Sequence, residues 1–287
     1  MSVERLEWAA HQNRVGLGLA AVGRPGYINL GRERDLPADR TVDALRERSH
    51  RLLDEAYARG VRYFDVARSY GRAEEFLASW LDGHPEAVVG SKWGYTYTAG
   101  WQVDAEVHET KDHSVATYDR QVAESRALLE NRLDLYQIHS LTPESPALTD
   151  ATLHHRLAEL QRTGVTVGFS TSGPKQADTI RRALDVQVDG RPLFESVQST
   201  WNLLERSAGP ALEEAKHSGC FVIVKEALAN GRLAAIDQEA IGAVLAQPFV
   251  DIALSGAATV EQLASNLAAR PLGPEEYWSH RSRMQWQ

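Results

Sequence analysis

Short β-forming runs alternate with helix-patterned runs along the whole chain, and this alternation limits the fold more than any other feature. Strands are expected at residues 14–21 (RVGLGLAA), within 61–66 (VRYFDV), and at 87–92, 133–139, 165–170, 194–199, 221–225 and 250–254. Each is rich in Val, Ile, Leu, Phe or Tyr and bounded by turn residues. Helices are expected at 41–59 (ended by Gly60), 74–81, 114–131, 153–162, from Pro174 onward, and at 211–217, 238–246 and 259–269. Pro174 opens its helix where the missing N–H costs nothing. Eight βα units fit an α/β fold of the (β/α)8 TIM-barrel kind, read as one domain over residues 1–287, because no linker or low-complexity tract divides the series. The rival is a Rossmann sheet, since Gly16, Gly18 and Ala21 nearly match the dinucleotide fingerprint. That motif needs a helix opening at its glycines, and Gly23, Pro25 and Gly26 forbid one.

Within this series the stretch 61–81, VRYFDVARSYGRAEEFLASWL, brings Asp65 and Tyr70 to the C-terminal end of a strand, where parallel α/β proteins bind ligands. Lys92 and His139 end the next two strands. A reaction that builds negative charge on a substrate oxygen at this rim needs a proton donor poised there. A free phenol, with a pKa of about 10, is a reluctant donor near neutrality, and an adjacent ammonium improves it. Taken singly, Asp65 could cap a helix, Tyr70 could fill space, Lys92 could be a solvated charge and His139 a rim histidine. Their convergence on one mouth of a barrel favours chemistry.

Asp65, Tyr70, Gly71 and Glu74 resemble the signature of the aldo-keto reductases, and the likeness runs from the GLG at Gly16 to the helix at Asn266. The resemblance implies a (β/α)8 barrel, an extended nicotinamide cofactor, and a catalytic tetrad of Tyr70, Lys92, Asp65 and His139. It implies carboxamide binding by Ser170, Thr171 and Gln198, with Thr171 standing where the family has Asn. Gly18, Leu228, Asn230, Gly256, Gln262 and Asn266 are the other cofactor contacts it implies, with Arg232 near the pyrophosphate. Lys225 falls where many relatives stack a Tyr on the nicotinamide. Strand alternation would send Lys225 and Glu226 to opposite faces, arguing against an ion pair between them. NADP(H) is the expected cofactor and NAD(H) the alternative, because Gly256, Ala257 and Gln262 replace the cationic 2′-phosphate contacts of NADP-selective relatives. The activity implied is reduction of an aldehyde or ketone. The alternatives are an NAD-linked dehydrogenase acting on a sugar or other alcohol, and a cofactor-sensing binding module, against which the intact tetrad argues.

The remaining features narrow the class. No apolar run approaches the ~20 residues that span a bilayer, and the N-terminal residues lack the apolar core of a secretion signal, so a cytoplasmic protein is expected. The net charge of −8, with basic residues scattered among acidic ones, points away from nucleic acid, and the small-molecule carbonyl or alcohol partner is what the resemblance implies. Oligomeric state is not legible. Cys220, the only cysteine, lies in an apolar run and reads as a buried, inert thiol. His108, Glu109 and His113 look metal-like, but the two histidines are five apart in a loop, where the zinc-protease helix needs four, so no metal is expected. Tyr27, Trp93, Tyr95, Tyr97, Trp101 and Trp201 lie on or beside rim loops and suggest an aromatic substrate pocket, with Tyr27, Trp93, Tyr95, Trp101 and Trp201 as its candidates.

Overall fold

A computed structural model describes residues 2–26 and 38–282. Eight parallel strands close into a barrel: β1 (Val15–Gly18), β2 (Tyr63–Asp65), β3 (Val88–Trp93), β4 (Leu133–Leu141), β5 (Thr166–Thr171), β6 (Ser196–Thr200), β7 (Phe221–Lys225) and β8 (Ile252–Ser255). Each pairs with its neighbours in chain order, and β8 returns to β1 through Val15 opposite Ala253. The expected (β/α)8 TIM barrel is the observed fold. The intervening helices follow the amphipathic segments closely; Val42–Ala58, Val115–Leu129, Ala151–Arg162 and Val260–Leu267 are each opened by a side-chain cap, from Thr41, Ser114, Asp150 and Thr259.

Alternation along the strands sorts their side chains into two layers. Phe64, Val89, Tyr136, Val167, Phe169, Val197 and Val222 face the helices in the main core. Inside the lower barrel, Tyr63, Val88, Leu135, Phe221, Ile223 and Ile252 form a separate cluster with Leu6 and Ala9. Those two belong to a helix, Ser2–Gln12, that the sequence reading did not anticipate. Leu6 and Ala9 are three residues apart and therefore on one helical face, which closes the barrel floor. Full burial of a Leu side chain is worth about 2 kcal/mol. The floor thus seals the end opposite the chemistry.

Three further departures bear on the upper rim. The first strand is shorter than 14–21, because after Gly18 the chain bonds Leu19 N to the Asp65 carbonyl (2.9 Å) and turns away. The aromatic segment after β3 is not an open loop: Tyr95–Tyr97 pairs antiparallel with Glu109–Lys111. A helix at Pro274–Ser282 follows the last unit. No helix among the described residues is long and apolar enough to cross a membrane.

Candidate active site

The C-terminal end of the barrel gathers the four expected residues around one ion pair. Lys92, 1% exposed on β3, donates to the Asp65 carboxylate and to the Val66 carbonyl (2.9 Å). The other Asp65 oxygen accepts from the Tyr63 hydroxyl (3.2 Å) and from Gln198 Nε2 (2.9 Å), so each carboxylate oxygen is bonded. Tyr63 reaches Asp65 only because residue 90 is Gly; a Cβ there would stand 2.2 Å from the phenol oxygen. Burial pulls the Lys92 ammonium below its ordinary range, and the Asp65 charge opposes that shift. The ammonium lies 5.0 Å from the centre of the Tyr70 ring.

Tyr70 is set by the turn that follows β2. Gly71 adopts a φ of +62°, and a Cβ there would meet the Gly23 carbonyl oxygen at 2.4 Å. Gly23 is equally tight, since its Cβ would lie 2.3 Å from the Tyr70 carbonyl oxygen, and Arg72 N bonds Gly23 O at 2.8 Å. The loop after β1 is therefore pressed onto the loop carrying Tyr70. Glu74, 2% exposed, secures the other side by accepting from Arg68 (2.5 Å), Ser91 (2.5 Å) and Ser125 (2.7 Å).

His139, near the end of β4, meets Tyr70 edge-on with ring centres 5.5 Å apart and Tyr95 likewise at 5.0 Å. Burial first, then the positive charges of Lys92 and Lys225, push its imidazole well below the ordinary histidine value, so it is neutral at physiological pH. Behind it stands His113, whose Nε2 donates to the His139 carbonyl oxygen at 2.9 Å while Nδ1 accepts from the Ser145 hydroxyl at 3.1 Å. Burial lowers the His113 pKa from 6.5 to about 4. A neutral His113 thus fixes the backbone from which His139 projects.

Asp65, Tyr70 and His139 open on a cavity of about 250 Å³ that Gly18, Gln198, Lys225, Leu228, Asn230 and Gly256 also line. Ser170 is buried beside it, with its Oγ accepting from Ser140 N at 2.9 Å, which leaves its hydroxyl hydrogen free to donate. Left-handed backbone concentrates here, at Ser140 (φ 56°), Glu226 (58°), Ala229 (47°) and Asn230 (56°), as is common where binding dictates conformation.

Several sequence expectations need correction. Thr171 does not face the cavity: one residue beyond inward-facing Ser170, it points to the helix layer, where its hydroxyl meets Gln176 (2.9 Å) and Ser199 (2.8 Å). The expected cofactor contacts Gln262 and Asn266 both bond the β8 loop, Gln262 accepting from Ala258 N at 2.9 Å and Asn266 bonding the Ser255 hydroxyl at 2.8 Å, which is no departure from the expectation. Lys225 and Glu226 do form an ion pair, at 2.9 Å, because the left-handed turn at Glu226 ends the strand alternation that would have separated them. Trp93 and Trp201 are core residues, 0% and 3% exposed, packed against Tyr118 and Phe249 respectively. Trp101 donates from its indole to the Arg40 carbonyl (2.9 Å) and packs near Phe76, outside the cavity lining. Of the proposed aromatic pocket, only Tyr95 stands beside the site; Tyr27 lies outside the described residues. Instead the cavity wall includes Arg24 and Glu109, joined at 3.2 Å; Arg24 carries no expectation from the sequence, and Glu109 figures there only in the discounted metal-like run. An Arg in a Gly/Pro-rich loop and a Glu between two histidines gave no signal of their meeting.

The model of the Aldo/keto reductase family matches residues 39–243. The chain is 26% identical over 257 residues to the uncharacterized oxidoreductase YqkF of Bacillus subtilis (strain 168), covering 76% of this chain and 80% of that protein. Among solved structures it resembles PA4992 of Pseudomonas aeruginosa (27% identity, TM-score 0.68, 89% of this chain and 88% of that one). It also shares the fold of the aldo-keto reductase AKR11C1 from Bacillus halodurans (20% identity, TM-score 0.72, 96% and 93% covered). With the family match spanning most of the barrel, the chain belongs to the aldo/keto reductase family.

Proposed function

We propose that the protein is a cytoplasmic NAD(P)H-dependent oxidoreductase that reduces an aldehyde or ketone to an alcohol, with Tyr70 as the general acid. The observation that carries this reading is the buried Lys92–Asp65 pair set against the Tyr70 ring, with a neutral His139 alongside and an open cavity above. The residues present suit a nicotinamide cofactor. Gly18, Ala20, Ala21 and Gly256 give the cavity a wall of small groups, and a Cβ on Gly256 would meet nothing within 4 Å. Gln198, its Nε2 committed to Asp65, offers a ligand its carbonyl oxygen, and Ser170 offers a hydroxyl hydrogen, a match for the two ends of a carboxamide. Bound there, the reduced cofactor supplies the hydride.

The protein's own part is to hold the carbonyl and deliver a proton. Neutral His139 can donate a hydrogen bond to the carbonyl oxygen, orienting it towards Tyr70. As negative charge develops on that oxygen, Tyr70 releases its proton, and the Lys92 ammonium stabilises the phenolate left behind. Asp65 keeps the ammonium charged despite burial. Oxidation of an alcohol is the same path reversed, with Tyr70 as the base. Tyr70→Phe tests the assignment: turnover of a panel of aldehydes and ketones with NADPH and NADH should fall by about 100-fold or more, while cofactor affinity, followed by fluorescence quenching, stays near wild type. Turnover within about threefold of wild type would remove Tyr70 from the mechanism.

A further inference from the structure

Beneath the tetrad, the barrel interior holds a phenol that the proposed proton transfer does not use. Tyr63 is 0% exposed and precedes Asp65 by two residues on β2, so strand alternation points both side chains into the barrel. Its ring fills a slot left open by glycine on both neighbouring strands. A Cβ on Gly16 of β1 would lie 2.9 Å from the ring, and one on Gly90 of β3 would collide with the hydroxyl. Below, Tyr63 belongs to the apolar cluster that the floor helix closes. Among the described residues its hydroxyl has one hydrogen-bond partner, the Asp65 oxygen that does not meet Lys92, at 3.2 Å. Burial and the Asp65 charge push the Tyr63 phenol well above its ordinary range, so it stays protonated and donates there.

We infer that Tyr63 is a positioning residue for the proton transfer: its hydrogen bond keeps the Asp65 carboxylate turned to Lys92 and draws off part of its charge, leaving the Lys92 ammonium to favour the Tyr70 phenolate. The inference rests on the proposed role of Tyr70. A carboxylate that loses a hydrogen bond becomes more basic. Without the Tyr63 hydroxyl, that Asp65 oxygen keeps only Gln198. The buried pair then either turns a less compensated negative charge towards Tyr70 or passes the Lys92 proton to Asp65. Both forms weaken the positive field of the ammonium 5.0 Å from the Tyr70 ring centre, so both raise the Tyr70 pKa. The other charged or titratable groups around the cluster are Glu74 on the helix Ala73–Leu81, Asp134 and His139 on β4, Lys225 and Glu226 at the end of β7, and Arg24 and Glu109 on the rim. From β1, β5, β6 and β8 come Gly18, Ser170, Gln198 and Leu254, none of which titrates. All of these stay the same when only the Tyr63 hydroxyl is removed.

The test follows the Tyr70 phenol itself. In the full chain labelled with 13C at the tyrosine Cζ, the resonance that Tyr70→Phe removes is titrated by NMR in wild type and in Tyr63→Phe. Its midpoint should rise by about 0.5 to 1 pH unit in the variant, a three- to tenfold change in the acid constant. The pH profile of kcat/KM for alcohol oxidation, in which Tyr70 is the base, should move by the same amount. Cofactor dissociation constants should stay near wild type, because Tyr63 lies outside the cavity lining. Gly90→Ala, which pushes the hydroxyl off Asp65, should reproduce the shift and add little to it in the Tyr63→Phe background; it also carries the titration if Tyr63→Phe does not fold. A role in packing alone would lower the melting temperature and leave the Tyr70 midpoint where it was, and that result overturns the inference. So does a wild-type Tyr70 that does not titrate below about pH 11. Should no carbonyl or alcohol turn over while the Tyr70 midpoint still responds to Tyr63, the reductase reading falls and the positioning role stands.

Discussion

His113 offers a stability test whose size follows from the site geometry. The imidazole is 4% exposed, edge-on to Trp93, and faces the Gly94 backbone, the Ser145 hydroxyl and the His139 carbonyl, with Lys111 and Asp112 as its charged neighbours. Its folded pKa of about 4 lies below the 6.5 of the unfolded chain, so the unfolded state takes up the proton first as the pH falls. The sign follows: the stabilisation is whole above pH 6.5 and drains away as the pH drops towards 4. A gap of some 2.5 pK units corresponds to about 3 kcal/mol in all, of which about 2 kcal/mol is lost between pH 7 and pH 5. Urea unfolding of wild type and His113→Gln at those two pH values isolates the contribution, because the shifted His139 and the carboxylates remain in both proteins. The variant should be less stable at pH 7 yet lose about 2 kcal/mol less on acidification. Parallel losses in the two proteins would mean that His113 is not held neutral by its surroundings.

Cofactor choice and redox preference can be tested at the same rim. Arg48, on the first long helix, donates to the Ala258 carbonyl at 2.7 and 3.0 Å, beside the loop that holds Gly256 and Gln262. NAD(H) and NADP(H) affinities should differ by less than ~100-fold, and Gly256→Lys with Gln262→Arg should move preference towards NADP(H), each new charged contact contributing roughly 1.5 to 3 kcal/mol; titration of both cofactors into the double variant checks this, and an unmoved ratio would place the 2′-phosphate elsewhere. Because Glu226 neutralises Lys225, Lys225→Met, which leaves the carboxylate unpaired, should tilt the ratio of dissociation constants towards the oxidised, cationic cofactor, whereas Glu226→Gln, which unmasks the ammonium, should tilt it towards the reduced form, each by up to about tenfold. The opposite ranking of the two variants would show that the ion pair at 2.9 Å does not persist around a bound cofactor.

The sequence made the barrel legible because periodicity is a local property, and each strand–helix unit repeats it independently. It also delivered Asp65, Tyr70, Lys92 and His139 to one rim, since strand ends in a parallel barrel share a face. What it could not supply was the direction of side chains past the last regular residue. Thr171 was one step out of phase with Ser170, and Glu226 left the strand through a left-handed turn that reversed the alternation. Indole side chains were assigned to the cavity by their nearness to loops, yet Trp93 sits on an outward-facing strand position and Trp201 under the helices. The Arg24–Glu109 contact joins residues 85 positions apart, and only the packed loops bring it about. The floor helix was missed for another reason. Its apolar face amounts to little more than Leu6 and Ala9, too few residues to stand out against a charged background.

The close approach of Gly23 and Gly71 has a consequence for how such an enzyme can change its substrate. Two backbones that touch at 2.8 Å, with no room for a methyl group between them, move as one piece. The segment bearing Arg24 therefore cannot be exchanged for a longer or bulkier one without displacing the phenol next to it. New specificities grafted onto this loop alone should come at the expense of turnover, while the hairpin that carries Glu109, tied to the rim mainly through side chains, is the freer ground for variation. Successful redesign of the first loop should bring compensating changes in the Ser69–Gly71 turn with it.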